Sequence, residues 1–255
     1  MKIFLAGTLK NSYLLNVIDS TFRNYYLLES YYYIKNDKKL NTEIIKSNPN
    51  FLLDSGAFTY IHDTKKTTDW EQYVESYAEF INKYDIINFF ELDIDNVVGL
   101  SKVEELRNKL IRLTKKKPIV VWHKSRGKEK FVEMCKQYDY VAMGGLLTDG
   151  FSVHNISKYL PWFIQTAHEH NCIIHGLGFT NMNLMPFCRF DSVDSTTWNM
   201  CAKYGEVMQF EKTRMVRYQS VVNNKKIRKI KNINEVTLHN FYEWLKFQQY
   251  AKKHL

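Results

Sequence analysis

Short, nearly continuous apolar runs alternate along the chain with longer segments of helical periodicity. Eight of these runs predict strands, and they cover residues 2–7, 51–54, 87–95, 118–123, 140–145, 172–178, 189–195 and 206–210. Because the runs are continuous rather than alternating, they are typical of parallel strands covered on both faces.

Apolar residues between these runs recur at three- and four-residue spacing, which predicts helices. The predicted helices cover residues 69–84, 101–116, 128–138 and 155–170. Asp69 occupies an N-cap position, and Pro161 is expected to bend or restart the last helix. Repeated strand–helix units favour a TIM (β/α)8 barrel, of the α/β class, over a doubly wound open sheet. Residues 22–35 fit a strand or a helix, so they can change the strand count by one.

Composition supports one large core or two small ones. The chain has 255 residues, of which 45% are hydrophobic and 15% aromatic, and this argues against disorder. No apolar run approaches the roughly 20 residues of a membrane span, so no membrane partner is expected. The four cysteines form no C-x-C or C-x-x-C pair, which argues against a zinc ribbon or a disulfide framework. We therefore predict a reduced, cytoplasmic setting.

The net charge of +9 is concentrated at the end of the chain. Residues 211–255 hold eleven Lys and Arg against three Glu. We therefore predict a catalytic barrel domain over residues 1–210 and a basic, helical C-terminal extension over residues 211–255 that packs on it. Its densest basic run is either a solvated face or a nucleic-acid-binding surface. That run contains Lys225, Lys226, Arg228, Lys229 and Lys231.

Acids, histidines and glycines are concentrated at the predicted strand ends, where barrel enzymes carry their reactive groups. Taken singly, these residues also fit turns, helix caps and solvated faces. Buried carboxylates are costly unless they are paired or hydrogen-bonded, so several at one rim predict an active site. The positions are Asp54, Glu91, Asp93, Asp95, His123, Gly144, Gly145, His175, Gly176, Gly178, Asp191 and Asp194.

Four strings at these strand ends resemble a known family. DSGAF resembles the DSGGF segment of tRNA-guanine transglycosylases, and YVAMGGL resembles their strand that ends in GGL. HGLGF followed by FDSVDS resembles their glycine-rich strand and the strand that carries the nucleophilic aspartate. The set VWH, GGL, HGxG and SVDSTTW is most similar to the DpdA-type DNA-guanine transglycosylases of phages and bacteria.

The resemblance implies a TIM barrel that exchanges guanine for a 7-deazaguanine base through a covalent aspartyl–sugar intermediate. Asp54 matches the acid/base aspartate of the family. The nucleophile matches Asp194 in the DpdA-type pattern or Asp191 in the tRNA-enzyme pattern, and Asp93 or Asp95 takes the place of the base-reading aspartate. The full set of implied substrate-binding residues is Ser55, Gly56, Phe58, Asp93, Asp95, Trp122, His123, Gly144, Gly145, His175, Gly176, Asp191 and Trp198.

The sequence departs from the tRNA enzymes in lacking their C-x-C-x-x-C…H zinc motif. The predicted barrel is therefore compact, without the zinc-binding insertion that helps to hold tRNA, and this favours DNA as the polymer. The implied partners are guanine-containing DNA and a free 7-deazaguanine base such as a 7-cyano or 7-aminomethyl derivative. The resemblance implies no cofactor and no metal, and places the protein in the host cytoplasm if a phage encodes it.

Three alternatives remain open on the sequence. His123, His175 and Asp194, on separate strands, fit a metal-dependent TIM-barrel hydrolase. The base exchange could be directed at tRNA instead of DNA. The chain could also bind nucleic acid without catalysis, with the barrel as a scaffold for the basic run, although the convergent aspartates would then lack a role.

Overall fold

The computed structural model describes residues 1–17, 24–37, 42–57, 59–60, 68–146, 153–218 and 232–255. The strands are β1 (Lys2–Ala6), β2 (Leu27–Ser30), β3 (Phe51–Asp54), β4 (Asn88–Phe89), β5 (Val120–Trp122), β6 (Tyr140–Met143), β7 (Ile173–Gly176), β8 (Ser192–Ser195), β9 (Val207–Glu211) and β10 (Arg214–Tyr218). The helices are α1 (Ser12–Val17), α2 (Tyr31–Ile34), α3 (Thr42–Ile45), α4 (Trp70–Lys83), α5 (Asp95–Val98), α6 (Leu100–Thr114), α7 (Gly127–Gln137), α8 (Val153–Glu169), α9 (Thr197–Lys203) and α10 (Ile233–His254).

Strands β1 to β8 form one parallel sheet in the order β4-β3-β2-β1-β8-β7-β6-β5. A parallel bridge between Phe90 and Ile119 joins the two edges of this sheet. There the Glu91 N–H donates to the Ile119 carbonyl over 2.9 Å, and the Ile119 N–H donates to the Phe89 carbonyl over 2.8 Å. The sheet therefore closes on itself in chain order, and the prediction of a (β/α)8 barrel is confirmed.

One barrel strand differs from the sequence prediction. The predicted strand at residues 206–210 exists as β9, but it pairs with β10 in a separate antiparallel hairpin. The barrel instead takes β2 from the ambiguous segment at residues 22–35, and β2 pairs with β1 and β3. The tyrosines that flank its short apolar run concealed this strand, because they also fit the helical pattern of α2.

Side chains alternate between the barrel interior and the layer beneath the helices. The interior cluster consists of Phe4, Ala6, Tyr26, Leu28, Leu52, Phe90, Ile119, Val121 and Ala142. The outer layer is larger and includes Ile3, Leu5, Leu27, Leu53, Phe89, Val120 and Val193. The apolar interior layers fill the lower part of the barrel, so inward side chains beyond them, at the carboxyl ends of the strands, reach its mouth.

Local signals explain where the long helices begin and end. The Asp69 side chain caps α4 by accepting a hydrogen bond from the Gln72 N–H over 3.1 Å. Helix α6 ends at Lys115 in the left-handed conformation, with φ of 58°. Helix α8 continues through Pro161 without interruption, so the predicted restart was wrong, while the predicted bend stays a prediction.

The C-terminal helix α10 lies against β1, where it contributes to the same outer core as the other helices. The buried amide of Gln248 donates to the carbonyls of Ile3 and Tyr26 over 2.7 and 3.1 Å. Trp244 is fully buried, and Phe241 packs on Trp198 of α9. The predicted domain boundary after residue 210 falls inside β9. Helix α10 shares one hydrophobic core with the barrel.

All four cysteines are buried and free. Within the described ranges, no helix is both long enough and apolar enough to cross a membrane.

Candidate active site

The DSG turn at the end of β3 fixes the position of Asp54. Gly56 follows in the left-handed region, with φ of +68°, and its N–H donates to Asp54 Oδ2 over 2.9 Å. A Cβ at Gly56 would lie only 2.5 Å from Ser30 Oγ and from Tyr32 Cβ. This position therefore requires glycine both for its backbone conformation and for its close packing against β2 and α2.

The Asp54 carboxyl lies inside the barrel wall, and its burial raises the pKa to about 6. The Gly56 N–H and the Ser30 hydroxyl act in the opposite direction, while the negative charges of Asp93 and Asp194 raise the pKa further. Asp54, Asp93 and Asp194 thus interact electrostatically across the same mouth. A carboxyl group with a pKa near neutrality can both donate and accept a proton under physiological conditions.

Asp194 on β8 has a different environment. Its Oδ1 accepts a hydrogen bond from the Gly178 N–H over 2.7 Å and lies 3.2 Å from His175 Nε2. Its side chain is 13% exposed. Both of these donors bind Oδ1, so Oδ2 is the oxygen through which Asp194 can react with a ligand in the mouth.

Asp191 lies at the other end of the barrel, so its predicted place at the carboxyl rim is wrong. It precedes β8, and its Oδ2 accepts from the Ile174 N–H over 2.8 Å and lies 3.1 Å from His168 Nε2. It also lines a cavity of about 470 Å³ with residues from the starts of the strands, such as Lys2 and Tyr140. Asp191 therefore cannot contact a substrate held by Asp54 and Asp194.

The acids of the ELDID segment point in different directions. Glu91 is fully buried outside the barrel, where it pairs with Arg107 of α6 and accepts from the Val121 N–H over 2.7 Å. Asp95 pairs with Arg126 over 2.9 Å and is only 9% exposed. Asp93 is more accessible, at 26%. Of the two predicted base-reading acids, Asp93 is therefore the one that can meet a ligand.

His123, after β5, lies against Asp93 with a distance of 2.7 Å between Nε2 and Oδ1. Gly144 makes room for this imidazole, because a Cβ there would lie 2.6 Å from His123 Cε1. Gly145 takes a positive φ of +68° and turns the chain away from β6. Both glycines therefore lie beside the mouth near His123, and their predicted backbone contact with a heterocycle stays a prediction.

Three predicted substrate-binding residues pack against the outer layer, between the sheet and the helices. Trp122 packs between the sheet and the helices on Phe131 and Phe163, and its Nε1 donates to the Gly127 carbonyl over 2.8 Å. Trp198 is fully buried, and its Nε1 donates to the Ala6 carbonyl over 3.0 Å. Gly176 packs closely on Phe179 and Phe190. Trp122 and Trp198 therefore cannot stack on a base in the mouth, so these two predictions were wrong, whereas a substrate contact of Gly176 stays a prediction.

Ser55 is buried and supports the turn from behind, since its carbonyl accepts from the Tyr73 hydroxyl over 2.6 Å. Phe58 and the basic run Lys225, Lys226, Arg228, Lys229 and Lys231 lie outside the described residues. Their predicted contacts with the base and with nucleic acid stay predictions.

The predicted metal-ligand set of His123, His175 and Asp194 does not assemble. In the part of the chain that the structure describes, the group with ligand atoms within 4.8 Å of one another is Asp93, Asp95 and His123. Arg126 already neutralises Asp95, which reduces the attraction of this group for a cation.

The sequence analysis missed three residues that lie beside Asp54 or connect to His175. Ser30 lies beside Asp54 across the β2–β3 pair, and recognising residues 27–30 as a strand would have found it. Ser192 and Tyr140 connect to His175 inside the barrel. Period-two alternation back from Asp194 places Ser192 inward, but no local sequence signal indicates Tyr140.

No family model matches the chain. An uncharacterized protein of Sulfolobus islandicus rod-shaped virus 1, protein 306, is 25% identical over 182 residues, which cover 68% of this chain. The chain spans only 57% of the length of that relative. Among solved structures, an aldolase named QR15 matches 77% of this chain and 89% of its own, with a TM-score of 0.46 and 14% identity.

Proposed function

We propose that the protein is a DNA-guanine transglycosylase that exchanges guanine in DNA for a 7-deazaguanine base. The main support is that Asp54 and Asp194, from distant parts of the sequence, meet at one barrel mouth in different environments. Asp194 is anchored through one oxygen only, as a nucleophile must be. Asp54 has a pKa near 6, as a group must that both gives and takes a proton.

The first half of the reaction forms an ester. Asp194 Oδ2 attacks C1′ of the target nucleotide while the C1′–N9 bond breaks, and the bonding electron pair leaves on guanine N9. The protonated form of Asp54 supplies the proton that makes the departing guanine neutral. Because positive charge builds at C1′ in this step, the Asp194 carboxylate also stabilises the transition state electrostatically.

The second half reverses these events with a different base. The Asp54 carboxylate removes the N9 proton from the incoming 7-deazaguanine, and N9 attacks C1′. The ester C1′–Oδ2 bond breaks, and its electron pair returns to Asp194. No oxidant, reductant or metal is consumed, and the sugar–phosphate chain keeps its configuration through two displacements.

Recognition of the base is assigned to Asp93 and the glycines beside it. The Asp93 carboxylate can accept hydrogen bonds from the N–H edge of a guanine-like ring, and His123 orients it. Gly144 and Gly145 allow backbone to approach the flat heterocycle. The target nucleotide must leave the helix stack, which costs a few kcal/mol and favours a protein that also holds the phosphates.

The decisive experiment supplies purified protein with guanine-containing DNA and labelled 7-cyano-7-deazaguanine or 7-aminomethyl-7-deazaguanine. We expect label in DNA, detected by mass spectrometry of its nucleosides, and a covalent protein–DNA adduct on a denaturing gel when no free base is present. Parallel reactions with tRNA separate DNA-directed from tRNA-directed exchange. Labelling of neither polymer with either base would reject base exchange.

A second candidate function follows from the group formed by Asp93, Asp95 and His123. Their ligand atoms are close enough together to bind one divalent cation, which would support metal-dependent hydrolysis at the same mouth. Metal analysis of purified protein, with His123→Ala as the comparison, distinguishes the two. Stoichiometric zinc or manganese that disappears in His123→Ala would favour the hydrolase, whereas base exchange undiminished by chelators favours the transglycosylase.

A further inference from the structure

A chain of hydrogen-bonding side chains crosses the barrel interior and ends at Asp194. The Tyr140 hydroxyl lies 2.5 Å from Ser192 Oγ. Ser192 Oγ lies 2.8 Å from His175 Nδ1, and His175 Nε2 lies 3.2 Å from Asp194 Oδ1. The chain thus runs from the cavity at the amino-terminal end of the barrel, which Tyr140 lines, to the mouth at the carboxyl end.

The surroundings of His175 determine which atoms carry the protons. The imidazole is fully buried, with the rings of Phe4, Phe90 and Tyr140 packed around it at centroid distances of 6.2, 5.5 and 6.3 Å. A neutral imidazole has one donor nitrogen and one acceptor nitrogen, so its two partners decide which nitrogen carries the proton. An ionised carboxylate only accepts, so the proton belongs on Nε2 and points at Asp194.

The remaining donors are then fixed in sequence. His175 Nδ1 must accept, so the Ser192 hydroxyl donates to it, and the Tyr140 hydroxyl donates to Ser192 Oγ. Burial raises the pKa of Tyr140, which keeps this phenol a donor. Every donated proton in this hydrogen-bond chain therefore points towards Asp194. Ser192, which does not itself contact Asp194, sets the tautomer of His175.

We propose that Ser192 and Tyr140 are positioning residues that hold His175 as its Nε2–H tautomer, so that His175 and the Gly178 N–H fix Asp194 Oδ1 and direct Oδ2 at C1′. This inference rests on the proposed function, in which Asp194 is the nucleophile. When Oδ2 bonds to C1′, Oδ1 becomes the carbonyl oxygen of the ester and keeps both of its donors. The site therefore needs no rearrangement during the reaction.

The tautomer can be measured independently of any activity. ¹⁵N NMR of histidine-labelled protein distinguishes a protonated from an unprotonated ring nitrogen, and His175→Gln or, if that variant is unstable, Tyr140→Phe assigns the resonances. We expect wild-type His175 to show a protonated Nε2 and an unprotonated Nδ1. In Ser192→Ala, which removes the donor to Nδ1, we expect a mixture of tautomers. A wild-type His175 that carries its proton on Nδ1 would overturn the proposal.

Kinetics test the consequence for catalysis. Loss of the oriented donor should lower kcat for base exchange about tenfold in Ser192→Ala and about threefold in Tyr140→Phe, with KM for DNA nearly unchanged. Tyr26→Phe removes a phenolic oxygen that lies at the same end of the barrel but does not belong to the hydrogen-bond chain, and it should keep the wild-type kcat. If Ser192→Ala matched this control in both tautomer and kcat, the positioning role would be rejected.

The two proposals fail differently. If the wild-type protein shows the expected tautomer but no exchange activity, the proposed function is overturned. The catalytic role of the hydrogen-bond chain is then overturned with it. A wild-type protein that exchanges bases while Ser192→Ala is unimpaired overturns the positioning role alone.

Discussion

The two aspartates of the DSVDS segment are three positions apart, yet they lie at opposite ends of the barrel in different environments. Asp191 holds the start of β8, since its Oδ2 accepts the Ile174 N–H at 2.8 Å and contacts His168. Asp194 points inward at the other end, where its Oδ1 is held by Gly178 and His175. In the proposed function, Asp191 supports the fold and Asp194 reacts with the substrate.

This difference extends to the two ends of the molecule as a whole. At the carboxyl ends, Asp54, Asp93 and Asp194 lie close enough for their charges to interact, although this raises the pKa of Asp54. Unfavourable electrostatics of this kind is more typical of a functional site than of a site that only stabilises the fold. We therefore propose that the carboxyl rim carries the chemistry and that the amino-terminal rim supports the fold.

Substitution of the two aspartates should give the largest difference. We expect Asp194→Ala to lower base exchange about 10,000-fold, because no nucleophile remains, while DNA binding persists. Asp191→Ala should leave exchange within about threefold of wild type and lower the free energy of unfolding by about 1–2 kcal/mol through the lost contacts. Single-turnover exchange assays and urea titrations measure the two effects. Equal losses of exchange in both variants would contradict the division between the two rims.

Asp54 should show the next largest effect. Burial raises the pKa of Asp54 in the folded state to about 6, above its ordinary value of 3.8, so the folded state holds this proton up to about pH 6. Its contribution to stability is therefore complete below pH 4 and is lost as the pH rises through 6. The protonated form starts the reaction, so exchange should also fall above pH 6.

The variant Asp54→Asn keeps the shape of the side chain but cannot transfer a proton. We expect exchange to fall about 100- to 1,000-fold, and stability to lose the part of its pH dependence between 4 and 6 that Asp54 contributes. Thermal denaturation across this range, compared with wild type, measures the second effect. An exchange rate in Asp54→Asn equal to that of wild type would remove Asp54 from the mechanism.

The sequence predicted most of the barrel because its strands are continuous apolar runs, and it placed Asp54, Asp93 and Asp194 at the correct rim. It could not distinguish Asp191 from Asp194, because the two residues flank one short strand. Asp191 precedes β8 at the amino-terminal end of the barrel, and Asp194 lies near the carboxyl end of β8. The sequence also could not separate Trp122 from His123, its neighbour in sequence: only the inward or outward direction of each side chain, fixed by sheet pairing, decides which one reaches the mouth.

Other errors have a similar physical origin. The β2 strand was hidden because its tyrosine-rich flanks also satisfy helical spacing, and Ser30 was lost with it. Residues 206–210 have the composition of a barrel strand, but the sheet already had eight members, so they pair with β10 instead. Strand identity is local, whereas strand partners are decided by the closure of the whole barrel.

Gly56 tests how firmly the carboxyl rim is built. Gly56→Ala combines a left-handed φ with a Cβ 2.5 Å from Ser30 Oγ and Tyr32 Cβ, so we expect a loss of about 2–4 kcal/mol in the free energy of unfolding. Gly205→Ala is a matched control, since Gly205 has a φ of +70° but open space around its Cβ position. It should lose only about 1 kcal/mol. Equal losses in denaturant titrations would show that packing at the DSG turn contributes nothing.

The smallest expected effect concerns which rim faces DNA. If the basic run binds phosphates, Lys226→Gln with Arg228→Gln and Lys229→Gln should weaken DNA binding about tenfold or more at 0.15 M salt. The slope of log K against log salt should become shallower by about 2–3, because each lost phosphate contact contributes about 0.9.

The matched control neutralises three cations around the cavity at the amino-terminal end, namely Lys2, Arg189 and Lys252. The same number of charges is removed there, so the net charge of the two variants is equal, and any general electrostatic attraction falls by the same amount. If DNA lies across the carboxyl rim, this control should keep the wild-type salt slope. Fluorescence anisotropy with a guanine-containing oligonucleotide measures both slopes, and an equal decrease in the two variants would mean that net charge alone, and neither rim, attracts the DNA.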